Sequence, residues 1–154
     1  MPLELKMVDK ADFPIFIEPI FRAMGGNNHV VNAVYPNNLT EAGQHNAIGR
    51  FLMLQEKDKS IQWIKVVDTD AGNNVIIGIA QWYTIDTERP AERDIDGPPG
   101  TWASEDEKEY SQEVFRKYML YRRETIREKS LPIMCKWTQL PCLGYFISFN
   151  FFKV

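Results

Sequence analysis

The stretch from Ile61 to Tyr83 constrains this chain more than any other. Ile61–Asp68 and Val75–Tyr83 are two apolar runs, and Thr69–Asn74 between them is rich in Asp, Gly and Asn. Runs of that length and β-branched content read as strands, and a short linker of that chemistry reads as a hairpin turn. At least part of the fold is therefore an antiparallel sheet. The second run is almost unbroken, which predicts a central strand covered on both faces. Gly78 interrupts it, and a glycine inside a strand marks a bulge or a close approach by another group.

The flanking segments read as one more strand and three helices. Leu3, Leu5 and Met7 alternate with Glu4 and Lys6, as in a short strand. Asp9 is placed to cap a helix, Asp12 lies three residues on, and Val8 and Phe13 can staple the helix start. Phe13, Phe16, Ile17, Ile20, Phe21 and Met24 recur at helical spacing. Pro19 should kink this helix and Gly25-Gly26 should end it. Asn27–Asn38 reads as a polar loop with five Asn. A second helix is expected over Thr40–Lys57, with Ala47, Ile48, Phe51, Leu52 and Leu54 buried. Thr84–Thr101 is long for a connection inside a domain, and length of that kind points to function or mobility. Ser104-Glu105-Asp106-Glu107 is a capping box, and the helix it opens has acidic residues first and Arg122, Arg123, Arg127 and Lys129 last, as the macrodipole favours. Val114, Phe115, Tyr118, Met119, Tyr121 and Ile126 form its apolar side, and Pro132 stops it near Lys129. The order is β-α-α-β-β-α, an α+β arrangement of an antiparallel sheet with flanking helices.

Composition changes after Ile133. From Cys135 to Val154 no acidic residue occurs, and the last eleven residues hold five aromatics. This divides the chain into residues 1–133 and an aromatic-rich tail, 134–154, with the makings of a sticky β-edge. A sheet that stops at the second apolar run exposes an edge and aggregates, unless the tail supplies a replacement strand.

Several function classes are excluded. A net charge of −3 leaves no basic footprint for nucleic acid. No apolar stretch reaches the roughly 20 residues of a membrane span, and the first twelve residues lack the pattern of a secretory signal. A cytoplasmic protein is expected, with Cys135 and Cys142 as free thiols. His29 reads as a solvated loop residue, for want of a carboxylate spaced to orient it, and His45, beside Gln44 and Asn46, as lying on the solvated face of a helix. Glu105, Asp106, Glu107 and Glu109 read as helix-start charge in preference to a metal site. Arg122-Arg123 reads as an ion-paired surface.

Four segments carry a resemblance to the GNAT superfamily of N-acetyltransferases, fungal type. Leu3-Glu4-Leu5-Lys6 with Asp9-x-x-Asp12-Phe13-Pro14 resembles its first strand and helix, and Trp63–Asp68 its second strand. Asn74–Trp82, with Gly78 and Trp82 in place, is similar to the third, and the long loop and charged helix leading to Leu131-Pro132 also fit. The resemblance covers Leu3 to about Ile133. It implies transfer of an acetyl group from acetyl-CoA to a small-molecule or peptide amine. It also implies an acceptor pocket near Tyr35, Trp82 and Tyr83, residues for which core packing is the plain reading. In such enzymes a fourth strand leads into a Gly-rich loop at a helix start, where amides and the dipole hold the CoA pyrophosphate. No such loop occurs here. The expectation is a partial domain, truncated before its cofactor motif and impaired or inactive. A non-catalytic binding module and a truncated product without function are the alternatives. No catalytic residue, metal, membrane partner or oligomeric state is assigned.

Overall fold

The two apolar runs form β2 (Ile61–Asp68) and β3 (Val75–Ile85), antiparallel and in register from Ile61 opposite Tyr83 to Asp68 opposite Val75. A computed structural model describes residues 2–26, 28–70, 75–89, 91–139 and 149–153, the last two strands by backbone alone. The turn over residues 71–74 lies outside the described residues. Register slips beside Gly78: Val66 faces Gly78 while Val67 faces Ile76, so Ile77 is the extra residue of a bulge.

Around this hairpin the chain lays down an α+β fold. The first strand is β1 (Leu3–Met7), and the helices are α1 (Phe13–Ala23), α2 (His29–Val34), α3 (Glu41–Lys57) and α4 (Glu105–Glu128). Two further strands, β4 (Ile133–Gln139) and β5 (Phe149–Lys153), follow. The sheet runs β1-β2-β3-β4-β5, and every neighbouring pair is antiparallel. β4 supplies the neighbour that β3 would otherwise lack, pairing Ile133 with Ile85 and Gln139 with Ile79.

The helices meet the sheet through one face. Trp63 of β2 is 1% exposed and packs edge-on to Phe13 at 5.7 Å and to Phe51 at 5.3 Å, and is stacked with Phe16 at 6.2 Å. Alternation along β3 puts Ile79, Tyr83 and Ile85 on that same face, and Ile85 packs with Ile126 of α4. The opposite face is less covered than its apolar run predicts. Ala80 and Trp82 there are half-buried, and Leu3, Leu5 and Met7 of β1 are exposed.

Local chemistry explains the helix boundaries. The Asp9 carboxylate accepts from the Ala11 amide at 2.8 Å, and Asp12 reaches back to the Asp9 amide at 2.8 Å. That reciprocal turn precedes α1, whose regular geometry starts only at Phe13. The expected apolar stripe of α1 is buried, with Met24 partly so. Gly25 and Gly26 then take positive φ, and the Gly26 amide returns to the Phe21 carbonyl at 2.7 Å. The Ser104 hydroxyl caps α4 by accepting from the Glu107 amide.

Three sequence expectations change. The Asn-rich segment contains a helix, α2, capped by Asn28, whose side-chain Oδ1 accepts from the Val30 amide at 2.9 Å. Its six residues turn only Val31 and Val34 inward, too short a pattern to register as periodic. In α4, Tyr121 is 77% exposed and Tyr118 also faces outward in part, while Ser111 is buried and donates to the Ala33 carbonyl at 2.6 Å. Leu54 of α3 is exposed, and the buried residue missed there is Arg50.

Gly43 of α3 tests packing against propensity. An added Cβ would lie 2.0 Å from the Asn37 carbonyl oxygen. Helix propensity alone favours Ala by about 1 kcal/mol. Overpacking against rigid backbone costs about 1–3 kcal/mol and should win. Gly43→Ala is expected to lower the urea midpoint, and an unchanged or raised midpoint would contradict this packing. Trp63→Ala should cost about 3–5 kcal/mol in the same assay.

Candidate functional site at the end of the third strand

Tyr83 sits near the C-terminal end of β3, on the face that α4 crosses. The Arg122 guanidinium carbon of α4 stands 5.6 Å from the centre of its ring, within cation–π range. Asp58, the residue after α3, presents its carboxylate to the Tyr83 phenol by charge and hydrogen bonding. The same carboxylate accepts from the Ser60 hydroxyl at 2.6 Å and the Ser60 amide at 3.0 Å. Burial, and then the Asp58 charge, raise the Tyr83 pKa above the ordinary phenol value, against the opposing pull of Arg122.

A second group of rings and charge lies farther along α4. Tyr35, which follows α2, packs on Phe21 at 5.2 Å and on Phe51 at 5.6 Å. Arg50 lies over its other side at 4.7 Å, and the Trp102 ring takes the guanidinium at 5.1 Å. Arg50 is 4% exposed and donates to the Val34 carbonyl and, at 3.1 Å, to the Asp96 carbonyl. Burial lowers its pKa, while the charges of Tyr35 and Asp96 oppose that. Burial also raises Tyr35, and Arg50 counteracts it. The Tyr118 phenol is raised by burial and then by the charge of Tyr35. Tyr118 and Arg122 are four residues apart on α4, so one helix face links the Tyr35 group to the Tyr83 group.

The three residues singled out by resemblance therefore divide. Tyr35 and Tyr83 stand on the helix-covered side, bridged by α4. Trp82 alternates to the other face of β3. Sequence reasoning missed Asp58, Ser60, Arg50 and Trp102. An Asp at a helix end followed two residues later by Ser is a turn signal, but nothing local tells that a strand later in the chain, β3, will bring Tyr83 to it. His29 and His45 are exposed. Arg123 and Arg127 bond Glu92, with Arg127 Nε to the carboxylate at 2.9 Å.

The long loop is held down. Arg116 pairs with Asp94 at 3.1 Å and Lys108 with Asp96 at 3.1 Å. Gln112 donates to the Ile95 carbonyl, Arg123 to that of Arg93, and Arg89 to those of Ile126 and Lys129. Its acidic residues answer the basic side of α4.

One other concavity, of about 550 Å³, is lined by Lys6, Asp12, Ile15, Lys65, Val67, Val75 and Ile76. Its buried ion pair, Lys65 to Asp12 at 2.5 Å, also caps the turn before α1. Both charges are spent on each other and on the fold, and Lys6 beside them is paired with Glu4. Among the described residues, no group of three potential ligands could hold a metal, and no helix is long and apolar enough to cross a membrane. No protein-family model, curated protein or solved structure matches the chain.

Two outcomes follow from this geometry. Arg50→Ala strips the buried Val34 carbonyl and the part-buried Asp96 carbonyl of their donor and opens space between two rings, at a cost of about 3 kcal/mol by urea unfolding. Arg50→Lys should recover little of it, because a point charge cannot replace the planar fork. Asp58→Asn should move the Tyr83 titration down, read from its ring carbon signal; an unmoved titration would place Asp58 elsewhere. The raised phenols also set a sign. Their contribution to stability is complete below the ordinary phenol pKa near 10 and is lost as pH rises through the higher folded values. Alkaline unfolding should therefore coincide with ionisation of Tyr35, Tyr83 and Tyr118.

Proposed function

We propose that this chain is an N-acetyltransferase-type domain whose described part is the acceptor side, able to receive an amine and impaired in acetyl transfer. The resemblance supplies the family and the amine acceptor. The arrangement of Tyr83 beside Asp58, Ser60 and Arg122 supports the acceptor side of it: a carboxylate and a hydroxyl converge beside an aromatic ring, a combination that suits a primary amine. The position of β4 supports it too. β4 pairs along β3 past Tyr83, and Cys135 is its register partner.

The observation that carries the impairment is the chemistry of the helix starts. A pyrophosphate needs free amides without competing negative charge. The start of α4 holds Glu105, Asp106 and Glu107. That of α1 follows Asp9 and Asp12 and has Pro14 in its first turn. That of α3 carries Glu41, its Gly43 amide is taken by the Thr40 hydroxyl, and the Asn37 carbonyl crowds Gly43. The brief α2 is capped by Asn28. No described helix start suits acetyl-CoA, and no step through that cofactor is derived.

A non-catalytic binding module is the second reading, and these same acidic helix starts favour it. The two separate on ligand. At ~1 mM acetyl-CoA the melting temperature is expected to stay unchanged, whereas a site with a dissociation constant near 10 μM would add about 2.7 kcal/mol. A clear rise would overturn the impairment. Titration with n-butylamine should shift the Tyr83 ring signals in the wild type and leave them fixed in Asp58→Asn. Fixed signals in both would remove the acceptor reading.

A further inference from the structure

We propose that β1 docks on β1 of a second copy of this chain, making a two-fold dimer whose register is centred on Leu5. β1 is the outermost described strand of the sheet and, among the described residues, pairs only with β2. Its register with β2 pairs Leu3 with Asp68 and Met7 with Ile64. The same register places Pro2 opposite Thr69 and Val8 opposite Trp63. At those two ends the Thr69 amide donates to the Pro2 carbonyl at 3.2 Å, and the Val8 amide to the Trp63 carbonyl at 2.9 Å. Hydrogen-bonding direction alternates along an antiparallel strand. Even-numbered residues thus turn their peptide groups toward β2, and Leu3, Leu5 and Met7 turn theirs out of the sheet. That edge offers three amides and three carbonyls in a row, and no described residue bonds them.

The edge is self-complementary in register and in charge. Placing Leu5 opposite its own copy puts Leu3 opposite Met7 and Glu4 opposite Lys6, twice each. Because the odd residues face outward, the Leu5 and Leu3–Met7 positions become the hydrogen-bonded pairs. Glu4 and Lys6 then fall at the non-hydrogen-bonded positions, where side chains lie closest. Sliding the copies by two residues keeps the hydrogen bonding but sets Glu4 against Glu4 or Lys6 against Lys6, which is repulsive. Edge charges usually oppose strand pairing. Here their signs and spacing select one antiparallel register instead.

Exposure agrees. Leu3, Leu5 and Met7 are 53%, 76% and 57% exposed on one face. On the other, Glu4 and Lys6 pair, among the described residues, with each other, at 2.6 Å and about half in solvent. Contacts of this extent fall below those of a permanent dimer, so the association is weak and reversible.

Sedimentation velocity of the full chain decides the matter, run from about 10 μM to 1 mM at low salt. The wild type is expected to pass from monomer to dimer with a dissociation constant on the order of 100 μM. Glu4→Lys alone and Lys6→Glu alone should each weaken dimerisation at least tenfold, with circular dichroism unchanged. Mixed one to one, the two variants should dimerise as well as the wild type, because each then meets opposite charge at both positions. Leu5→Pro removes an outward amide without touching β2, and should abolish the dimer. A wild type that stays monomeric at 1 mM, a dimer indifferent to both charge reversals, or a mixture no stronger than its components would overturn the proposal.

Discussion

An unbroken row of rings ties the sheet to the farthest helix. It starts at Trp63 on β2, passes to Phe51 of α3 and on to Tyr35, and ends with the Arg50 guanidinium held between Tyr35 and Trp102. Phe51 and Arg50 are neighbours on α3, and the rings they touch come from β2, from the end of α2 and from the segment before α4, so each contact closes a loop of chain. Arg50 is the costliest of them to bury, since no described carboxylate touches it. Two backbone carbonyls and two ring faces stand in for the water it loses, and the carbonyls belong to α2 and to the long loop. Through it α2, the loop and the segment that leads into α4 meet at one side chain.

The parts of the fold legible in the sequence are those governed by neighbours in the chain. The hairpin, the bulge beside Gly78, the stripe from Phe13 to Phe21 and the cap at Ser104 each rest on periodicity or on residues within a few positions. What escaped rests on distance. Arg50 sits on a polar stretch of α3 where periodicity predicts a surface residue, and only the rings of Tyr35 and Trp102 make its burial tolerable. Tyr121 belongs to the apolar count of α4 yet points outward, because that helix spends its inner face on Ser111, Met119 and the loop's carbonyls. The expectation of a doubly covered β3 met a sheet whose helices gather on the Trp63 face.

For the candidate site the same division holds. Tyr83 is visible as an aromatic at a strand end, but its chemistry comes from Asp58 and Arg122, which arrive from two other elements. Neither would draw notice alone. Burial and then the Asp58 charge make this phenol resist ionisation, while the Arg122 cation over its ring pulls the other way. Trp82, its neighbour in sequence, takes no part there, since one step along a strand is a change of side.

The anchoring of the long loop has a consequence for how such a chain can change over time. Arg116, Arg123 and Arg127 meet Asp94, Arg93 and Glu92 because their spacing along α4 matches the spacing along the loop. Inserting a single residue into the helix would rotate everything after it by about 100°, carrying those partners away from the loop together. Loop and helix are thus bound to vary as one unit, each acting as the template that limits what lengths the other can adopt.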